Sequence, residues 1–173
     1  MLGERPPELE DVIRRRRELG QDGFDEVWEG EHHLGPVAHS DHAIVASELV
    51  LALGPRARGR RLLTSGPFNL GDPQDFRVPD GGFHRSVPGT LYVPTAAVVV
   101  EVLSPDDETF RKFEFFAAHG VEEVLVASPA ERWVRCWHRA GGGAEAADGY
   151  LEQAASALLG VTVAEVVAEV DWP

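Results

Sequence analysis

The sequence predicts an α/β fold with a mixed central β-sheet flanked by helices, preceded by an N-terminal helix and a hairpin. Three observations carry this reading. Ala96-Ala97-Val98-Val99-Val100-Glu101-Val102-Leu103 is rich in β-branched residues and apolar at odd and even positions alike, as expected of a strand at a sheet centre covered on both faces. Beyond Ser104-Pro105, Phe110, Phe113, Phe116 and Ala117 recur at helical spacing up to Gly120, with Asp106 or Asp107 as the cap. Val121–Ala127 then reads as a second buried strand, so the three segments form a βαβ unit with parallel strands.

The other elements follow in chain order. Pro6-Pro7-Glu8-Leu9-Glu10-Asp11 leads into Val12, Ile13 and Leu19, giving a short helix with acids in its first turn and Arg14 to Arg17 in its last. Residues 24–28 and 31–34 flank Glu29-Gly30, a two-residue hairpin turn with glycine second. Ser40 caps a helix through Ile44, Val45, Leu49, Val50 and Leu53 that stops near Gly54-Pro55. Short strands are expected around Arg61–Thr64 and Phe76–Val78, the second entering a turn at Pro79-Asp80-Gly81-Gly82 before a strand at Phe83–Arg85. Trp133–Arg139 adds a strand, Gly141 to Gly143 a loop, Tyr150–Ala154 an edge strand and Thr162–Val170 a final helix.

Length and composition fit a single domain: 173 residues, 43% hydrophobic and 26% charged, suffice for one sizeable core. Within it, residues 1–20 form a helical arm, 24–140 the core, and 141–173 a C-terminal strand and helix. No apolar run approaches the roughly 20 residues of a membrane span, and MLGERPPELEDV lacks a secretory layout, so the chain reads as cytoplasmic with no membrane partner. Cys136, the one cysteine, reads as a strand residue. The net charge of -13 argues against strong nonspecific attraction to nucleic acid, which phosphate neutralisation mostly supplies. Of 16 basic residues, Lys112 is the only lysine.

Glu101 is the anomaly, because a carboxylate inside AAVVVEVL is desolvated at a cost of several kcal/mol unless compensated. An arginine partner, protonation or a metal ion each answers that need. The metal requires a second carboxylate, and Asp80 qualifies at a strand end beside glycines. Lys112 follows on the next helix, within reach of the same strand end. Two carboxylates for a hard divalent cation and one ammonium for developing charge form a minimal kit for phosphodiester hydrolysis.

These residues carry a resemblance. Val78-Pro79-Asp80, then Val99-Val100-Glu101-Val102-Leu103-Ser104-Pro105, then Lys112 ahead of Ala117-Ala118-His119-Gly120-Val121-Glu122-Glu123-Val124-Leu125-Val126, resemble the Uma-two family of restriction-endonuclease-like proteins within the PD-(D/E)XK nuclease superfamily. The likeness spans roughly residues 24–140 and implies a restriction-endonuclease-like fold, with Asp80 and Glu101 binding Mg²⁺ or Mn²⁺ and Lys112 assisting an attacking water. The superfamily's lysine ordinarily stands two residues after the glutamate, where this chain has Leu103; in the Uma-two family it is thought to have moved to the following helix, where Lys112 stands. Arginine stays protonated and cannot substitute where a lysine lowers its pKa to help a water. The resemblance also reaches Glu26, Gly30, Glu31 and His42, and Glu31, His42 and Glu48 are candidate supporting groups, with a solvated helix face as the plainer reading of Glu48.

Competing readings are weaker. His32, His33, His39 and His42 are dense enough to suggest zinc, but neighbouring strand histidines face opposite ways and no HExxH or CxxC occurs. GxxxxGK[ST], GxSxG and GxGxxG are all absent. The expectation is therefore a magnesium-dependent endonuclease acting on nucleic acid, DNA first, as a homodimer whose Arg14–Arg17 arms offset the acidic charge. The alternative is a catalytically silent protein of the same fold serving as a binding or dimerisation module.

Overall fold

The computed structural model describes residues 7–35, 38–87, 89–105, 108–141 and 149–173. Helix α1 (Pro7–Glu18) opens the chain with none of its residues buried. Three of its four arginines are engaged with acids: Arg14 with Asp11 and Glu18, Arg16 with Asp25, Arg17 with Asp22. The hairpin forms as expected, β1 (Glu26–Trp28) pairing antiparallel with β2 (Glu31–His33). Glu29 and Gly30 both take positive φ, 50° and 89°, which a tight two-residue turn between twisted strands requires.

Helix α2 (Ser40–Gly59) departs from the sequence reading at both ends. His39 rather than Ser40 is the N-cap residue, its Nδ1 accepting from the Asp41 N–H. The helix continues through Pro55, where the carbonyl of Leu51 loses its helical partner on the solvent side of the helix, Leu51 being 68% exposed, so that solvent is open to it.

The main sheet has six strands: β3 (Leu63–Ser65), β6 (Gly81–His84), β8 (Val98–Val102), β9 (Glu123–Ser128), β10 (Trp133–Arg139) and β11 (Tyr150–Gln153), in spatial order β11-β10-β9-β8-β6-β3. Only the β8–β9 pair is parallel, as the βαβ reading requires. Gly81 and Gly82, expected in a turn, lie inside β6. A Cβ on Gly82 would stand 2.6 Å from the Phe68 ring, so only glycine leaves that ring its place. A second sheet, unexpected from sequence, joins the hairpin to β5 (Asp75–Arg77), β4 (Asn69–Asp72) and β7 (Tyr92–Val93), in order β2-β1-β5-β4-β7. These short strands, with Asp, Asn and Gly among their residues, carry little propensity of their own.

The period-2 alternation of β8 divides the core into two layers. Val98, Val100 and Val102 join Val45, Leu49 and Leu53 of α2 and Val166 of α4 (Val163–Glu169). Val99 faces the other way, into the layer of Leu70, Phe113, Phe116, Val124 and Val126. Glu101 shares that second face by parity, which aims its carboxylate at the layer delivering Lys112. That layer begins with a 3₁₀ turn, Thr109–Lys112, and continues as α3 (Phe113–Ala118). The tighter turn shifts the stripe: Phe115 is buried while Phe110, expected in the core, is 45% exposed. The expected caps Asp106 and Asp107, and part of the glycine loop, lie outside the described residues.

The C-terminal segment is held by Glu123, a fully buried carboxylate. It accepts from the Ser156 hydroxyl and from the backbone N–H groups of Ala157 and Leu158 at 2.8 and 3.1 Å. A two-stranded ribbon, β12 (Ala155–Ser156) with β13 (Val161–Thr162), precedes α4, whose N-terminus Thr162 and Glu165 close as a capping box. No helix among the described residues is long and apolar enough to cross a membrane.

Candidate active site

The β6–β8 pairing builds the site. Gly81 stands opposite Val100, so one step outward along this antiparallel ladder sets Asp80 beside Glu101. Asp80 Oδ2 accepts from the Val102 N–H at 2.8 Å, which ties its carboxylate to the end of β8. Its other oxygen meets His42 Nε2 at 2.8 Å, and His42 Nδ1 meets the Ser104 hydroxyl at 2.9 Å. The first turn of α2 and the residue closing β8 thus brace Asp80 from two sides.

Glu101 is 3% exposed, and the cation beside it is Lys112 rather than an arginine, with Nζ 3.3 Å from Oε1. The same ammonium donates to Glu26 Oε1 at 3.0 Å. Glu26 is itself fixed by the Val78 N–H at 2.7 Å and by the Trp28 indole N–H at 2.6 Å. Burial alone would lower the Lys112 pKa, but Glu101, Glu26 and Asp80 together hold it above the ordinary lysine value. The ammonium is therefore a fixed positive charge and hydrogen-bond donor. Three carboxylates around one ammonium favour its charged form.

Glu26, His42, Asp80, Glu101, Ser104 and Lys112 line one cavity of about 560 Å³, walled also by Phe24, Trp28 and His33. Carboxylates outnumber the ammonium there, leaving room for further positive charge. Mg²⁺ takes one or two carboxylates and fills its remaining positions with water and substrate oxygens, so Asp80 and Glu101 fit it. Among the described residues no group of three His, Cys, Asp or Glu side chains is assembled to hold a metal, so water and substrate oxygens would have to complete the coordination at Asp80 and Glu101.

The family described as "Putative restriction endonuclease", Uma2, matches residues 11–170, nearly the whole chain. The chain belongs to this family. Among solved structures it is similar to a "putative nuclease belonging to DUF820" from Anabaena variabilis ATCC 29413, with a TM-score of 0.65 and 14% identity over 84% of this chain and 90% of that one. The fold is accordingly the restriction-endonuclease-like one. No curated protein matches the chain.

Within this fold the structure brings together Asp80, Glu101, Lys112 and His42, and leaves out Glu31 and Glu48. Glu31 shares a face of β2 with His33 but sits at its outer end, exposed, and borders a separate cleft with Phe110 and Arg111 rather than the cavity. Glu48 is partly buried on α2 and does not line the cavity. Sequence reasoning left open the acidic group that the hairpin contributes, and it is Glu26. The signal was present, because Glu26-Val27-Trp28 puts Glu26 and Trp28 on one face of β1, with the buried valine between them. Ser104 gave no signal beyond ending the strand.

Proposed function

We propose that the protein is a metal-dependent endonuclease that hydrolyses phosphodiester bonds, with Asp80 and Glu101 holding Mg²⁺ or Mn²⁺. The observation carrying this reading is the convergence, in one cavity, of Asp80, Glu101 and Lys112 from three separate segments, with Lys112 Nζ 3.3 Å from Glu101. Asp80 and Glu101 would hold the cation, which would supply Lewis acidity and a more acidic water. The chain's own groups do the rest. Lys112, kept charged, stabilises negative charge as it develops on the phosphoryl group and orients the water. Glu26 and Trp28 fix the ammonium, and Ser104 and His42 fix the rotamer of Asp80, in the way outer partners orient ligating side chains.

The test is calorimetric titration with Mg²⁺ and Mn²⁺ on the wild type, Asp80→Ala and Glu101→Ala, with nicking of plasmid and of circular single-stranded DNA on the same samples. Binding lost in both variants, and nicking that also requires Lys112, is the expected result. Absence of divalent-ion binding by the wild type overturns the reading and favours a silent binding module, in which Lys112 alone answers Glu101. DNA is the first substrate to try. A homodimer is part of the proposal, checked by sedimentation with and without DNA.

A further inference from the structure

The walls of the cavity bear on what kind of strand reaches its floor. Asp80 and Glu101 lie deep, their side chains 15% and 4% exposed. A second cleft of about 720 Å³ adjoins the first, and the two share Trp28 and His33. These rings are stacked, centroids 4.3 Å apart and planes within 20°, and so form an aromatic ridge between two spaces of ligand size. Phe24 on the near side and Phe110 on the far side are 44% and 45% exposed. Phe110 is braced edge-on by Trp137, a rigid mount for a ring left open to solvent.

Cations are arranged otherwise. Lys112 is the only lysine or arginine among the described residues lining the first cavity, and it is occupied by Glu26 and Glu101. In the second cleft Arg77 and Arg111 lie over the Trp28 ring, 4.6 and 5.4 Å from its centroid, with Arg77 bound to Asp75 and the Val27 carbonyl and Arg111 to Glu108, so the cleft offers two arginines rather than a cationic track. Duplex binding draws its affinity from many phosphate neutralisations, which these clefts and a net charge of -13 do not supply. Base faces stacking on aromatic rings are the other source of affinity, and paired bases keep those faces inside the helix.

We propose that the substrate of this site is an unpaired nucleic-acid strand whose successive bases stack on Phe24, His33 and Phe110 while one phosphodiester descends to Asp80 and Glu101. The cutting step rests on the nuclease reading above; the binding does not. The experiment is fluorescence anisotropy with a labelled 15-nucleotide oligothymidine, the equivalent oligouridine and a blunt DNA duplex of equal length, in EDTA so that nothing is cut. Hydrolysis of bis(4-nitrophenyl) phosphate with Mn²⁺ is measured in parallel on the same protein.

At least one single strand is expected to bind tenfold or more tightly than the duplex, and the two sugar arms assign the preference for DNA or RNA. Phe110→Ala and His33→Ala should each weaken single-strand binding about tenfold or more, the effect of losing one stacked base. His33→Phe should restore it, which separates a stacking role from a folding defect. Phe110→Ala, outside the cavity that holds Asp80 and Glu101, should not change hydrolysis of the small ester, which has no neighbouring bases. Duplex bound as tightly as single strand, no binding of either single strand, or single-strand binding indifferent to both alanine variants overturns the proposal. Loss of ester hydrolysis in the wild type would instead overturn the nuclease reading alone.

Discussion

Replacing Lys112 by Met removes the one ammonium from between two buried carboxylates while nearly preserving side-chain volume. At an effective dielectric near 20, charges 3.0 and 3.3 Å apart attract by about 5 kcal/mol each. Against this stands the several kcal/mol required to take the ammonium out of water, so the net loss on substitution is about 3–5 kcal/mol, the usual cost of leaving a buried ion without its partner. In urea, with a slope of about 2 kcal/mol per molar, the midpoint should fall by about 2 M with the slope unchanged. Adding Glu101→Gln to Lys112→Met should recover much of the loss, because the carboxylate that needed the ammonium is then neutral. A midpoint shift worth less than about 1 kcal/mol, or a double variant no better than the single one, would refute the idea that this ion pair is desolvated and mutually dependent.

Other consequences follow from buried groups away from the site. Glu123→Ala leaves the Ser156 hydroxyl and two backbone N–H groups without their acceptor and should cost about 3 kcal/mol in a thermal melt, with new protease cleavage near residues 154–160. Cys136 is buried, and burial followed by the nearby Glu123 charge pushes its thiol up to about 12, so iodoacetamide at pH 8 should label it only after denaturation. Tyr150 donates to the Val121 carbonyl at 2.8 Å, and burial raises its phenol above the ordinary 10.0. A raised folded pKa gives stability that is whole below pH 10 and lost as pH climbs beyond it. Tyr150→Phe should therefore cost about 1 kcal/mol at pH 7 and make the alkaline decline in melting temperature shallower.

What the sequence made legible follows from where each signal resides. The β8–β9 unit was readable because a strand buried on both faces leaves a run of β-branched residues that nothing else explains, and Trp133–Arg139 was readable to the residue. Asp80, Glu101 and Lys112 were readable as residues out of place: a carboxylate in an apolar run, an acid beside glycines, and one lysine among arginines. The second sheet was not readable, because its strands of two to four residues depend on one another and on the layer of Phe113, Phe115 and Phe116 into which Leu70 of β4 packs. Pro55 misled by its local meaning, since a helix tolerates proline where the orphaned carbonyl faces water. Glu26 was legible only in part: alternation set it on the face of Trp28, but its pairings to Val78 and Lys112 are distant in the chain and no local period records them.

The position of the lysine shows what the chemistry constrains. Residues 101 and 103 share a parity on β8 and its extension, so a lysine at 103 would lie on the same face as Glu101. In this chain Leu103 instead packs against the layer of Phe113, Phe116 and Val126, completing the apolar cover over β8 and β9. The ammonium reaches that face from above, at the end of the 3₁₀ turn that precedes α3. Two consequences come with this route. The strand keeps an apolar residue where a charged one would have to be desolvated at every stage of packing. The ammonium also comes within reach of the hairpin, where Glu26 receives it, which a short tether on the strand itself would not require. The hairpin, β8 and the turn before α3 thus converge on one nitrogen atom, and the integrity of the cavity depends on all three elements being docked.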